Sequence, residues 1–350
     1  MALPFQSPIE PMLAEAQPEI PVGDGWVYEP KWDGFRTIVF KDGPKVHLCS
    51  RNGQPMERYF PEVVARCVEK LPESCIVDGE LIIAGEKGLD FDSLQLRIHP
   101  AASRVNKLSK EIPASFVGFD LLALGGEDLR PLPFKERRQK LLAMMPMEDD
   151  LFLTPETADP AIARQWWEQF EGAGLDGVIA RRTELPYVPG ERVMVKVKHG
   201  RTADCVVGGY RDGKTPGTVG ALLLGMYDEN GVLHHVGHTS SFTQKQKREL
   251  KETLKPYEGG ESFGLGRTPG APSRWSGGKD LGWTQLRPEL VVEVKYDYLQ
   301  GGRFRHGATF IRWRTDKPPK DCKYSQLDPP RPFSFSRVLE LAKAAAQTKT

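Results

Sequence analysis

Residues 28–53 read YEPKWDGFRTIVFKDGPKVHLCSRNG, and this stretch decides what kind of sheet opens the chain. Phe35 to Phe40 reads as a strand, Asp42-Gly43-Pro44 as a turn and Lys45 to Ser50 as the return strand. Asn52-Gly53 then turns the chain again. Short strands joined by tight Asx-Gly turns specify an antiparallel sheet. Lys31 stands just ahead of this hairpin, beside Asp33-Gly34. Taken alone, it is a solvated lysine next to a turn.

Working outward, Cys75 to Ile83 and Ser115 to Leu124 read as further strands. Arg58 to Leu71 has helical spacing, Phe134 to Met145 reads as an amphipathic helix after Pro133, and Pro160 to Gly172 as a helix stopped by glycine. Gly177 to Arg181 and Arg192 to Lys198 add two strands. After His199-Gly200 the texture changes. Asp204 to Tyr210, Ala221 to Tyr227 and Val232 to His238 read as strands between glycine turns, followed by one helix, Gln244 to Leu254. A Gly/Pro/Ser-rich loop covers Glu258 to Lys279, where Gly264-Leu265-Gly266 is a loop and not a dinucleotide fingerprint. Leu290 to Tyr298 and Ala308 to Arg314 are the last strands. Five or so strands with one helix suggest a small barrel of OB-fold type. The boundary falls near residues 199–203, and the tail LAKAAAQTKT is expected to fray.

At 350 residues, two domains are expected. The 48 Lys plus Arg nearly balance 47 Asp plus Glu, for a net charge of +1, so a nucleic-acid footprint would have to be a local patch. Arg303, Arg305, Lys320 and Lys323 outnumber Asp316 and Asp321 and form such a patch. Five scattered cysteines form no C-x-x-C pair, which suits a reducing cytoplasm better than a disulfide or zinc framework. No secretory signal is expected from MALPFQSPIEPM, and no apolar run approaches the ~18 residues of a membrane span. His234, His235 and His238 are expected on a hairpin surface.

A free lysine has a pKa of about 10.4 and cannot attack while protonated. Burial and neighbouring cations lower that value. Arg36, Lys196 and Lys198 would supply such cations if folded near Lys31, and would also neutralise a triphosphate.

The segment Lys31-Trp32-Asp33-Gly34-Phe35-Arg36 resembles motif I (K-x-D-G-x-R) of the covalent nucleotidyltransferases, which comprise DNA ligases, RNA ligases and mRNA capping enzymes. The remaining motifs follow in order. Ser50-Arg51-Asn52-Gly53 is similar to the S-R-x-G element, Asp78-Gly79-Glu80 to D-G-E, and Phe119-Asp120 to the aromatic-plus-acid of motif III. Asp176-Gly177-Val178-Ile179 is similar to motif IV and Lys196-Val197-Lys198 to motif V. Arg312-Trp313-Arg314-Thr315-Asp316-Lys317 is similar to motif VI. YEPKWDGFR, LDFDSLQLRIHPAASR, GLDGVIAR and GGRFRHGATFIRWR look like the small actinobacterial ATP-dependent DNA ligases of the ligase C type.

This resemblance implies an α+β fold. An N-terminal nucleotidyltransferase (adenylation) domain of antiparallel sheets and helices, ATP-grasp-like, would span 1–200, and a C-terminal OB-fold β-barrel 201–350. It implies that Lys31 attacks the α-phosphorus of ATP. Glu29 would help read the adenine, Glu80 would accept from a ribose hydroxyl and Phe119 would stack on the base. Arg36, Arg51, Lys196 and Lys198 would contact phosphates, while Arg312, Arg314 and Lys317 would orient pyrophosphate. Asp176, with Asp120 beside it as a second candidate, would bind Mg²⁺ or Mn²⁺. The implied partner is nicked double-stranded DNA, with other repair proteins as further partners, no membrane, and a bacterial cytoplasmic location. Two departures stand out: Asp176 replaces a commoner glutamate, and Arg181 ends GVIAR where lysine is frequent. The N-terminal DNA-binding domain of larger ligases is not seen. An RNA ligase, a GTP-using capping-type enzyme and a non-catalytic nucleic-acid-binding protein remain as alternatives.

Overall fold

The computed structural model describes residues 3–85, 88–145, 150–263, 268–269, 282–297, 299–327 and 331–347. The chain forms two compact units, Met1–Lys198 with Pro330–Thr350, and His199–Pro329.

The first unit is built on two sheets. One carries Leu13–Ala16, Arg192–Lys198, Gly177–Arg182 and Trp26–Pro30, in that order. The other carries Leu151–Leu153, Ser115–Leu124, Ser74–Ile82, Phe35–Asp42 and Lys45–Ser50, with Glu127–Asp128 at its side. The hairpin at Asp42-Gly43 pairs Thr37 with Ser50 through Asp42 with Lys45, as the turn residues dictate. The second sheet is covered on both faces, and its side chains sort by the period-2 rule. Val39, Leu48, Val77 and Leu121 enter one core with the helix Pro61–Lys70. Ile38, Phe40, Ile76 and Leu122 enter another with Met12, Tyr187 and Met194.

Several expected elements shift. The expected Arg58–Leu71 helix begins only at Pro61, whose fixed φ suits the first turn, after a 3₁₀ turn at Glu57–Tyr59. Helix Phe134–Met144 is not cleanly amphipathic, since it buries Arg137 and Arg138 beside Phe134 and Leu141. The tail is not frayed over its described length. Phe335–Gln347 is a helix of the first unit, and Val338 is fully buried in a cluster with Trp166 and Phe170. The boundary expected at residue 200 is therefore found at its N-terminal side, while Pro330–Thr350 leaves the second unit.

The main sheet of the second unit is ordered Leu233–Thr239, Val219–Tyr227, Arg201–Asp212, Val291–Tyr296 and Thr309–Trp313, with Thr284–Gln285 also paired to Arg201–Asp212, and Leu299–Gln300 pairs with Arg303–Phe304 as a separate ribbon. Helix Gln244–Leu254, opened by a Thr243/Gln246 capping box, follows the third of its long strands in chain order. This is the strand path of an OB-fold. The expected barrel is not closed by a ladder among the described residues: one parallel bridge, Thr239 to Ala308, joins the ends of the path. Most of the Glu258–Lys279 loop, with Gly264-Leu265-Gly266, lies outside the described residues. Among the described residues no helix is long and apolar enough to cross a membrane.

Val338→Ala should destabilise the first unit by about 2 kcal/mol, because it leaves a cavity in a closed core. Leu341→Ala, on a residue 38% exposed, should stay within about 0.5 kcal/mol. Urea unfolding followed by tryptophan fluorescence reads the difference, and equal midpoints would mean that the C-terminal helix does not dock.

Candidate active site

Lys31 sits where the chain crosses from one sheet of the first unit to the other, between Trp26–Pro30 and Phe35–Asp42. Two backbone hydrogen bonds hold it there. Its N–H donates to the Gly177 carbonyl at 2.8 Å, and the Asp176 N–H donates to the Lys31 carbonyl at 2.8 Å. The crossing is tight enough to require glycine. A Cβ on Gly34 would lie 2.0 Å from the Leu81 carbonyl oxygen. Gly177 has φ +133° and its Cβ would meet the Val197 carbonyl oxygen at 2.1 Å.

This backbone pairing brings the Lys31 and Asp176 side chains together. Lys31 Nζ lies 2.6 Å from Asp176 Oδ2, and Lys198 Nζ 2.9 Å from the same oxygen. Burial works to raise the Asp176 pKa, but Lys31 and Lys198 outweigh it and hold the carboxyl below its ordinary range. The first charge that Lys31 meets is thus a carboxylate, not the activating cations expected from sequence. Those cations surround it at one remove. Lys196 is pushed down by burial, then by Lys198, Lys31, Arg192 and Arg51.

One pocket gathers Glu29, Lys31, Glu80, Phe119 and Lys196, with Arg36 and the exposed Arg51 also in its wall. Phe119 reaches it through a β-bulge. Asp78 pairs with Asp120 and Gly79 with Gly118, so Phe119 is the extra residue. Its ring already carries the Arg36 guanidinium at 4.4 Å and that of Arg181 at 5.1 Å, so stacking on a base is left to whatever these cations do not cover.

Arg36 is immobilised. Its Nε and Nη2 donate to the two Asp78 oxygens, both at 2.6 Å. Tyr187 Oη donates to Asp78 at 2.6 Å and accepts from the Met12 N–H at 2.9 Å. Glu80 and Glu29 are both raised to about 7, in each case chiefly by burial, with arginines pulling the other way. Glu29 is 2% exposed. Its Oε2 accepts from Arg181 Nε at 3.0 Å, while Oε1 is buried and, among the described residues, has no hydrogen-bond partner.

Two groups of expected residues already have protein partners. Asp120 is wholly buried and both its oxygens accept from arginines, Oδ1 from Arg137 and Oδ2 from Arg137 and Arg181. Arginine already fills the coordination a metal would need, so the metal expectation passes to Asp176 alone. Arg312, Arg314 and Lys317 lie in the second unit and are engaged there. Arg312 pairs with Glu293 at 2.7 Å, Arg314 with Asp204 and Asp316, and Lys317 with Asp204 at 2.8 Å. His235, expected on a hairpin surface, is half-buried, with both ring nitrogens shielded from solvent. Burial, then Arg303 and Arg211, push it down to about 3. Among the described residues, no group of three or more His, Cys, Asp or Glu is placed to hold a metal.

Sequence reasoning missed Asp78, Arg181 and Tyr187 as parts of the site. Asp78 lies inside the D-G-E element, where only Glu80 was weighed, and Arg181 was seen only as a departure. Tyr187 gives no local signal.

Residues 11–198 match the family described as "ATP dependent DNA ligase domain", and residues 215–317 match "ATP dependent DNA ligase C terminal region". The chain is 48% identical to DNA ligase C1 of Mycolicibacterium smegmatis, covering 97% of this chain and 99% of that protein. It is likewise 48% identical to DNA ligase C of Mycobacterium tuberculosis over 97% of this chain and 99% of that one. The fold is shared with a solved Lig E DNA ligase at a TM-score of 0.56, with 19% identity, covering 87% of this chain and 99% of the other. The lysine at the sheet crossing, its carboxylate partner and the pocket beside them all fall within the first of the two matched spans, and the chain belongs to the ATP-dependent DNA ligase family.

Proposed function

We propose that this protein seals 5′-phosphate/3′-hydroxyl nicks in duplex DNA through a Lys31-AMP intermediate, as a bacterial cytoplasmic repair ligase. The observation that carries this reading is Lys31 Nζ held 2.6 Å from Asp176 at the edge of a pocket walled by Glu29, Glu80, Phe119 and Lys196. In the first step Nζ gives up a proton and attacks the α-phosphorus. A P–N bond forms, the α–β anhydride breaks and pyrophosphate leaves. Lys196, Arg51 and Lys198 neutralise the charge that builds on the phosphates. A 5′-phosphate oxygen then attacks the lysyl-AMP phosphorus, and the P–N electrons return to Nζ with a proton. The 3′-hydroxyl finally attacks the 5′-phosphate and AMP departs.

Glu80 receives a ribose hydroxyl, and Glu29 Oε1 is available to a base N–H. Asp176 suits a divalent cation only jointly with the nucleotide, because among the described residues no group of three or more His, Cys, Asp or Glu forms a metal cage, and Mg²⁺ is commonly held by one or two carboxylates plus substrate phosphates. Such an ion, when bound, supplies further charge neutralisation at the phosphates. The first unit serves as the adenylation domain. The second brings Arg312, Arg314 and Lys317 to the pyrophosphate, and for that step these side chains must exchange their present carboxylate partners.

Incubation with α-labelled ATP and a divalent metal should label the protein, and Lys31→Ala should reduce the label to background. A labelled alanine variant would overturn the assignment. Side-by-side sealing of nicked DNA and nicked RNA hybrids then fixes the acceptor, with DNA expected.

The Glu29 reading has a pH signature. Its carboxyl moves from an ordinary 4.5 to about 7 on folding. The folded chain therefore holds an extra proton between these values. The stability it brings is fully present below pH 4.5 and is lost as pH rises through about 7. Glu29→Gln should remove that loss, gaining up to about 3 kcal/mol on wild type between pH 5 and pH 8 in urea titrations. The same offset at both pH values would sink this reading of Glu29.

A further inference from the structure

We propose that Arg181, clamped by Asp120 and Arg137, selects the nucleobase by fixing which Glu29 oxygen faces it. The inference rests on the pocket being the ATP site. Arg181 bridges two carboxylates, giving Nε to Glu29 Oε2 at 3.0 Å and Nη1 to Asp120 Oδ2 at 3.1 Å. Asp120 cannot turn. Arg137 grips it through Nε at 2.8 Å and Nη2 at 3.0 Å, and the Leu121 N–H adds a bond of 2.9 Å. Arg137 is itself held by the carbonyls of Leu132 and Leu185. Every member of this chain is at most 3% exposed. The chain runs from backbone through three ion-paired side chains and ends at Glu29, a residue of the pocket wall whose Oε1 is buried and, among the described residues, has no hydrogen-bond partner.

Above about pH 7 Glu29 is ionised, and an ionised carboxylate oxygen has lone pairs only, so it accepts an N–H and repels another oxygen. Adenine carries an exocyclic amine where guanine carries a carbonyl. With Oε2 committed to Arg181, Oε1 can meet only the amine. Without Arg181, Glu29 becomes a buried carboxyl lacking its ion-pair partner. It then keeps its proton to higher pH and can offer an O–H to the guanine oxygen. Arg181 is thus a positioning residue, and its loss should relax base choice rather than only slow the reaction.

The test is Lys31-nucleotide formation from α-labelled ATP and GTP at pH 8, where wild-type Glu29 is ionised, read as the ratio of kcat/KM values. Wild type should favour ATP by at least ~10²-fold, since a site built around a hydrogen bond strongly rejects the partner lacking it. Arg181→Gln and Arg181→Lys should each lower that ratio at least ~10-fold, and the second keeps the buried positive charge if the first does not fold. Glu29→Gln, whose amide both donates and accepts, should lower it similarly. The Glu29→Gln/Arg181→Lys double variant should lower it no further, because both act through one contact. If both arginine variants lose activity equally with ATP and GTP, or their effects add to that of Glu29→Gln, Arg181 is structural and the inference fails. Should wild type form no adduct with ATP, the nucleotide-site reading fails instead.

Discussion

The Lys31 N–H donates to the Gly177 carbonyl and the Asp176 N–H donates to the Lys31 carbonyl, each at 2.8 Å. This reciprocal pair stitches the end of one strand to the start of another far along the chain. It fixes the lysine where two sheets diverge, and it does so with backbone atoms alone, leaving the side chain to its contact with Asp176. Much else follows from it. The crossing leaves no room for a Cβ at Gly34 or at Gly177. The side chain beside Gly177 must then be Asp176, which is why a lysine and a carboxylate 145 positions apart end 2.6 Å from each other.

Around this crossing the interior is unusually rich in charge. Burying an ion is costly unless partners and hydrogen bonds satisfy it. Asp78 meets that condition with Arg36 and Tyr187, and Asp120 meets it with Arg137 and Arg181. Apolar replacements could be as stable, so these networks are better explained by what they hold in place. Arg36 is held against the Phe119 ring, and Glu29 is held with one oxygen unsatisfied. A buried acceptor without a donor destabilises the empty state. A ligand that brings an N–H would remove that penalty, and on the proposed function part of the selectivity would then be stored in the unliganded fold.

The sequence showed what local rules govern. Turn residues marked the Asp42-Gly43 hairpin, and the return strand lies where the turn puts it. The order of short motifs pointed to Lys31, Glu80 and Lys196, which share one pocket. Contacts between distant positions were not legible. Phe119 and Asp120 are adjacent, and on a regular strand neighbours face opposite ways. Placing both in one site was therefore in tension with the strand period. A bulge settles it by aiming Phe119 at the pocket and leaving Asp120 to the arginines. The C-terminal tail looked weak because its end is small and polar. Its docking depends on Val338 further upstream, buried against Trp166 and Phe170, and a local reading has no access to those partners.

The sharing of Asp176 also bears on how a lysine in an ion pair can become a nucleophile. If Lys31 were the sole partner of Asp176, taking its proton would leave a partly buried carboxylate unpaired, and the fold would resist that loss. Lys198 prevents this. It lies 2.9 Å from the same oxygen. When Nζ becomes neutral, Asp176 keeps a cation, and the trio passes from a net single positive charge to a balanced pair. The electrostatic cost of losing the proton is then shared among three groups instead of falling on one. Both lysines remain about a fifth to a quarter exposed, so water can screen the exchange and carry the proton away. In the proposed reaction the K-x-K spacing would thus serve twice: Lys196 lines the pocket, and Lys198, 2.9 Å from Asp176, would keep that carboxylate paired as Lys31 loses its proton.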